Sequence, residues 1–200
     1  FISYPWEWSF SQLQDAALAT LQIQKLAMRH GMTLKDSSAF NLQFVAARPV
    51  FIDTLSFEIM QPGNPWVAYR QFCQHFLAPL ALMSRVDSRL LQLFKNSLDG
   101  IPLDLASRLL PLRSWLSFSL LTHIHLHART QRHFAARQVS VTTGKMSHNA
   151  LMGLIDSLES GVLACRAPGG STEWGDYYSD TNYSATALQS KSEIVAEFIE

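Results

Sequence analysis

The chain has 200 residues, of which 48% are hydrophobic and 16% charged, with a formal net charge of zero. That composition supports a folded core and excludes a disordered chain. The balanced charge gives no basis for general nucleic-acid or membrane-surface binding, so neither is expected as a partner. Apolar runs are broken within about ten residues by Gln, His, Arg or Pro, short of the roughly 20 that a membrane span needs. Cys73 and Cys165 lie far apart and form no CxxC knuckle; with no signal-peptide pattern, they suit a reducing, cytoplasmic compartment. The chain starts at Phe1 rather than Met, and Lys191–Glu200 reads as a helix still running. A fragment of a longer protein is therefore expected.

Phe1–Trp8 is aromatic, contains Pro5 and reads as an extended entry. Ser9 or Ser11 can cap a helix whose apolar positions include Phe10, Leu13, Ala17, Leu21, Ile23, Leu26 and Ala27, a broad stripe that predicts burial. Gly31 is its stop signal. Met32–Phe40 reads as a loop, and Asn41–Val45 and Val50–Leu55 as short strands joined by Ala46-Ala47-Arg48-Pro49, a hairpin. Pro62–Pro65 marks a turn. Helices are predicted near Trp66–Leu77, Pro79–Met83, Ser88–Asn96, Leu103–Leu110 and Ser114–Arg137, punctuated by Pro79, Pro102 and Pro111. Gln138–Lys145 reads as a linker, Ser147–Leu158 as an amphipathic helix, Ala167–Ser171 as a second break and Ala185–Glu200 as a last helix. The fold class is mainly α with a small β-hairpin (α+β). Two regions are expected: a helical domain over 1–137, then a linker and junction helices over 138–200.

The chemistry concentrates in Gly31–Phe57. Asp36 and Asn41 are spaced D-x-x-x-x-N, and Asp53 follows the hairpin in Val50-Phe51-Ile52-Asp53. Phosphoryl transfer uses this combination: one carboxylate orients or deprotonates the attacking hydroxyl, while an Asn amide oxygen and a second carboxylate hold Mg²⁺ against the phosphates. The same residue types also cap turns and helices, so both roles stay open here.

The pattern resembles the catalytic loop of protein kinases and of aminoglycoside- and choline-kinase-like phosphotransferases. The resemblance implies Asp36 as catalytic base, Asn41 and Asp53 as metal ligands, ATP and Mg²⁺ as cofactors, and a kinase-like C-terminal lobe. The chain departs from those families in three places. Leu34 stands where they usually have His, Thr54-Leu55 where protein kinases have Phe-Gly, and the Asn-to-Asp spacing is about one residue short. Only 35 residues precede Asp36, too few for a nucleotide-binding lobe with its Gly-rich loop and Lys.

A second resemblance covers nearly the whole chain. Tyr4-Pro5-Trp6-Glu7-Trp8, Gly31–Asp36, Phe51–Glu58, Trp66–Phe72, Asp99–Asp104 and Thr181-Asn182-Tyr183-Ser184 resemble the N-terminal half of a family of bacterial class I SAM-dependent methyltransferases, some of them described as nodulation-related. The resemblance implies a helical accessory region preceding a Rossmann-like core, with SAM bound in that core and its methyl group passed in line to an acceptor not identified by the sequence. The partners implied are that C-terminal core and the acceptor. No D-x-G-x-G-type loop follows a strand within the 200 residues, so no SAM-binding residue is assigned. Glu173, Trp174, Tyr177, Tyr178, Asn182 and Tyr183 would form a lead-in that covers the active site or packs the junction.

Other patterns carry less. His123 and His127 sit four apart in H-I-H-L-H, a spacing open to zinc, yet Ile124 stands where a metalloprotease helix has Glu. A hydrogen-bonded pair is the other reading. Arg129, Arg132, Arg137 and His133 form a local basic cluster, read as a phosphate contact or a solvated helix end. Cys73 near His75 reads as a small core residue.

Overall fold

The computed structural model describes residues 2–129, 146–167, 169 and 181–199. The first helix, α1 (Phe10–Arg29), begins where its sequence supplies a reciprocal cap. Ser9 Oγ accepts from Gln12 N at 3.2 Å, and Gln12 Oε1 accepts from Ser9 N at 2.8 Å. Ser9, not Ser11, is thus the cap. Leu13, Ala16, Ala17, Leu21, Gln24, Ala27 and Met28 make the buried face. Gly31 ends the helix at φ +70°, a conformation that favours glycine, and its N–H meets the Met28 carbonyl at 3.1 Å.

The segment after Gly31 departs from the expected loop. Met32–Leu34 is a strand, β1, paired antiparallel with β4 (Phe57–Ile59), which the sequence reading also lacks. Between them lie β2 (Leu42–Val45) and β3 (Arg48–Phe51), the expected hairpin, in register from Leu42↔Phe51 to Val45↔Arg48. Three-residue strands carry too little alternation to be read locally, and β1 exists because a distant partner closes on it. Two-stranded ribbons are marginal in water. This one is anchored from α1 by buried Gln24, whose Nε2 donates to Thr33 Oγ1 at 2.9 Å and whose Oε1 accepts from Leu34 N at 2.7 Å.

The helical part is laid over this ribbon. α2 (Tyr69–Phe72), a π-helical turn (Cys73–Leu77) and α3 (Ala78–Arg85) run on as one rod. Pro79 was expected to break it. Its ring lacks an N–H and would crowd the carbonyl four residues back, at His75; the wide turn just ahead accommodates the change. A 3₁₀ segment (Ser88–Asn96) and α4 (Leu103–Leu109) follow. The predicted Ser114–Arg137 helix is divided: a 3₁₀ turn (Leu112–Leu116), an extended Ser117 at ψ 115°, then α5 (Phe118–Leu120) and a second π turn (Leu121–Leu126), helical up to Arg129. The tight turn launched by Pro111 is fixed by Ser114 Oγ donating to the Pro111 carbonyl at 2.6 Å.

α6 (His148–Ala164), capped by Ser147, buries Leu151, Ile155, Leu158 and Val162. Lys25 of α1 reaches Asp156 at 2.7 Å and Glu159 at 2.6 Å. Gln14 Nε2 donates to the Val162 and Cys165 carbonyls, serving the acceptors that a helix C-terminus leaves open. The core is centred on Phe72, Phe76, Phe94, Leu13 and Leu21, each adding about 2 kcal/mol by burial.

The chain divides into two compact units, Phe1–Pro168 and Gly169–Glu200. The second contains α7 (Ala185–Ile199), which has no buried residue and exposes Ile194, Val195, Phe198 and Ile199. The predicted linker Gln138–Lys145, the far end of the Ser114–Arg137 helix, most of the Ala167–Ser171 break, and Glu173, Trp174, Tyr177 and Tyr178 lie outside the described residues. Among the described residues no helix is long and apolar enough to cross a membrane.

Candidate functional site

The Asp36–Asn41 loop leaves β1 and is held from the helical side. Trp66 Nε1 donates to the Leu34 carbonyl at 2.8 Å. Gln71 Oε1 accepts from Ser37 N at 2.8 Å, Ser37 Oγ donates to the Ala68 carbonyl at 2.9 Å, and His75 Nδ1 accepts from Ala39 N at 3.2 Å. Gln71 and His75 were missed by the sequence reading. Arg70 and Gln74 are polar at the same spacing in the same segment, so no local pattern singles the pair out.

Within the loop, Asp36 is half-buried and its Oδ1 accepts from Ser38 N at 2.8 Å, a local turn. At the loop's end the Asn41 carbonyl accepts from Ile52 N at 2.8 Å, tying it to the exit of the hairpin. Asn41 Nδ2 donates to Ser56 Oγ at 3.0 Å, and Ser56 Oγ donates to Asp53 Oδ2 at 2.6 Å. Asp53 Oδ1 accepts from Leu55 N at 2.9 Å, so Asp53 also caps the turn Thr54–Ser56. The Ser56 hydroxyl, then the Leu55 N–H, hold the Asp53 carboxyl below its ordinary range, with the Lys35 charge adding in the same direction.

The fold therefore joins Asn41 to Asp53 through Ser56, a residue the sequence reading did not single out. Asp36 is hydrogen-bonded to neither. Both carboxylates do cap turns, as the alternative reading held, but capping does not exhaust them. Asp36 Oδ2 and Asn41 Oδ1 have no hydrogen-bond partner among the described residues. A hard cation would find oxygen donors in Asn41 Oδ1 and Asp53. No group of three or more His, Cys, Asp or Glu side chains converges on one point among the described residues. Phosphate or water oxygens would have to complete such a shell.

Asp36 and Asn41 line an open cleft of about 770 Å³. Tyr4, Trp6, His75 and Asp99 line it too. The stretch around Tyr4 is strapped down: the Gln43 amide bonds both the N–H and the carbonyl of Ser3, and Gln92 Nε2 donates to the Trp6 carbonyl. Next to His75, the π turn leaves the Gln74 carbonyl to accept Ile101 N at 3.0 Å. Gly100, at φ +90°, passes so close that a Cβ there would sit 2.7 Å from Gln74 Cβ and from His75 Cδ2.

The histidines of the H-I-H-L-H run have structural partners. His123 Nδ1 meets Tyr69 Oη at 2.8 Å and its Nε2 meets Ser157 Oγ at 2.9 Å. His125 is bonded to Ser107 Oγ and Ser114 Oγ, both at 2.8 Å, and stacks on Trp115 at 4.3 Å between ring centres. His127 packs edge-on to Tyr69 at 5.4 Å. Arg129 lies over the Trp115 ring, 4.7 Å from its centre. Arg132, His133 and Arg137 lie outside the described residues. Cys73 is a fully buried core residue.

Fold and site together define a mainly helical α+β protein with two small antiparallel sheets carrying an Asp/Asn/Ser/Asp corner beside a cleft. Over 204 aligned residues, it is 35% identical to Nodulation protein NoeA of Rhizobium meliloti (strain 1021). The similarity covers 99% of this chain and 43% of that protein, so the chain spans less than half of its relative's length. No family model matches the chain. No solved structure matches it either.

Proposed function

We propose that this chain is the N-terminal accessory region of a SAM-dependent methyltransferase, where it positions substrate or the catalytic core. The observation that carries this reading is the reach of the NoeA similarity, which runs through 99% of the chain yet occupies 43% of the relative. The rest of such a protein has room for a separate core. The exposed apolar residues of α7, Ile194, Val195, Phe198 and Ile199, give that core a surface to cover. The described residues do not themselves fit SAM: none of the strands β1–β4 opens into a Gly-rich turn that lets backbone approach the cofactor. SAM titrated into the full-length protein should bind with saturation, and the 200-residue chain alone should not bind it. A full-length protein that ignores SAM, or a reading frame without a strand and Gly-rich loop soon after Glu200, removes this reading.

A second reading is favoured by the Asn41–Ser56–Asp53 relay. Here the corner binds nucleotide phosphates through Mg²⁺, either as a working kinase-like phosphotransferase or as a nucleotide-binding relic of one. Asn41 Oδ1 and Asp53 would hold the cation, which would neutralise phosphate charge, and Asp36 would face the acceptor hydroxyl. ATP with Mg²⁺ should raise the melting temperature of the full-length protein, and Asp53→Ala should abolish the rise. No shift at millimolar ATP leaves a structural interaction domain as the better account.

A further inference from the structure

The neutral charge of the whole chain conceals a local imbalance. Between Asp104 and Asp156 there is no Asp or Glu, while Arg108, Arg113, Arg129, Arg132, Arg137 and Lys145 all fall in that stretch. Its acidic boundaries are occupied: Asp104 pairs with Arg108 at 3.0 Å and Asp156 with Lys25 at 2.7 Å. Arg113 and Arg129 are exposed and have no acidic partner among the described residues. Uncompensated cations of this kind draw an anionic partner.

The same stretch carries the most exposed apolar side chains of the first unit. Leu112 and Leu116 are 87% and 89% exposed, more than any other large apolar residue of Phe1–Pro168 among the described residues, and Phe118 is 73% exposed. Leu112 and Leu116 belong to one 3₁₀ turn, roughly 8 Å apart along its axis, and Phe118 follows after the extended Ser117. The turn is braced. Ser114 Oγ donates to the Pro111 carbonyl and meets His125 Nε2, and the Trp115 ring stacks on His125. Arg113 is on the turn itself and Arg129 lies over the Trp115 ring, so the two cations flank the apolar tips.

Side chains this exposed have little contact with their neighbours. A protein partner would need a separate socket for each, and a nucleic acid gains little from leucine. The fluid acyl boundary of a bilayer closes around any of them. Tryptophan and arginine at the base of the tips suit the headgroup level, where a guanidinium meets phosphate oxygens. A braced turn also enters without first losing conformational freedom. We propose that the Leu112–Phe118 turn attaches the protein to an anionic lipid surface: Leu112, Leu116 and Phe118 enter the outermost acyl region, while Arg113 and Arg129 rest on lipid phosphates. This is attachment at the surface and requires no membrane-spanning helix.

Co-sedimentation of the full-length protein with vesicles is the test. Vesicles of phosphatidylcholine with about 30% phosphatidylglycerol should bind it roughly tenfold more tightly than phosphatidylcholine alone, and added salt should weaken that binding. Leu116→Ser combined with Phe118→Ser should lower binding to the anionic vesicles roughly tenfold, and Arg113→Glu should lower it by a similar factor. All three side chains are exposed, so the melting temperature should stay unchanged in both variants. No sedimentation with the anionic vesicles at about 1 mM lipid would overturn the proposal. So would full binding by the serine variant, which would leave charge adsorption alone. A serine variant that turns a dimer into a monomer in sedimentation velocity would give the turn to a second copy of the chain instead. A duplex oligonucleotide bound more tightly than the vesicles would give the basic stretch to nucleic acid.

Discussion

The two π turns among the described residues each carry buried histidine, and they differ in how its ring nitrogens are bonded. In Leu121–Leu126, both ring nitrogens of His123 and His125 are bonded to serine or tyrosine hydroxyls. In Cys73–Leu77, His75 spends one nitrogen holding the Ala39 amide and leaves the other without a partner beside a cleft. π turns recur at functional sites, but the turn alone does not mark one.

Acid should produce the largest effect, and it acts on both turns. Burial pushes His75 and His123 down to about 4, below the ordinary 6.5. The unfolded chain therefore takes up more protons than the folded one between those limits. Stability is fully present above about pH 6.5 and is lost as pH falls towards 4. Urea unfolding at pH 5 should give a free energy lower than at pH 7 by on the order of 4 kcal/mol, about 2 from each group. A flat profile across that range would show that the rings are not neutral in the core.

Substitution separates the turns. His125→Leu strips a partner from Ser107 and Ser114 and should cost about 3 kcal/mol. His75→Leu orphans only the Ala39 N–H, because Nε2 had nothing to lose, and should cost about half as much. Equal losses by urea midpoint would mean that Nε2 is satisfied in solution. Gly100→Ala tests the cleft wall itself. A φ of +90° and a 2.7 Å approach to Gln74 and His75 leave no space for a methyl group, so about 2 kcal/mol should be lost.

The same contrast explains what could be read from the sequence. α1 was legible because its cap, stripe and glycine stop are all local, and so was the hairpin, bounded by β-rich runs. β1 and β4 were not, since each is three residues long and exists only through the other. The rod from Tyr69 to Arg85 was read as broken at Pro79 because the π turn that accommodates the proline has no local sequence mark. Asp36, Asn41 and Asp53 were visible by residue type and spacing. Ser56, which links two of them, and the Gln71–His75 pair, which pins their loop, are ordinary residues until the chain folds. The cleft gathers Tyr4, Asp36, His75 and Asp99 from four separate stretches, a juxtaposition no local pattern encodes.

The smallest effect should come from the surface turn between the two halves of the Asn41–Asp53 corner. Ala46 and Ala47 form a two-residue hairpin loop at φ 47° and 62°, the left-handed region that Asn and Gly fill with less strain. Each alanine costs about 1 kcal/mol there, which the register Val45↔Arg48 and the packing of the ribbon on α1 sustain. Ala47→Gly removes one such cost but gives the unfolded chain more freedom. Replacing the pair by Asn-Gly recovers more, because Asn tolerates the first position without that penalty. The double variant should therefore raise stability by about 1 kcal/mol, and the single variant by less, with no change in ATP response. A loss of stability in both would show that the turn relaxes away from positive φ in solution, and with it the register that ties Ile52 to Asn41.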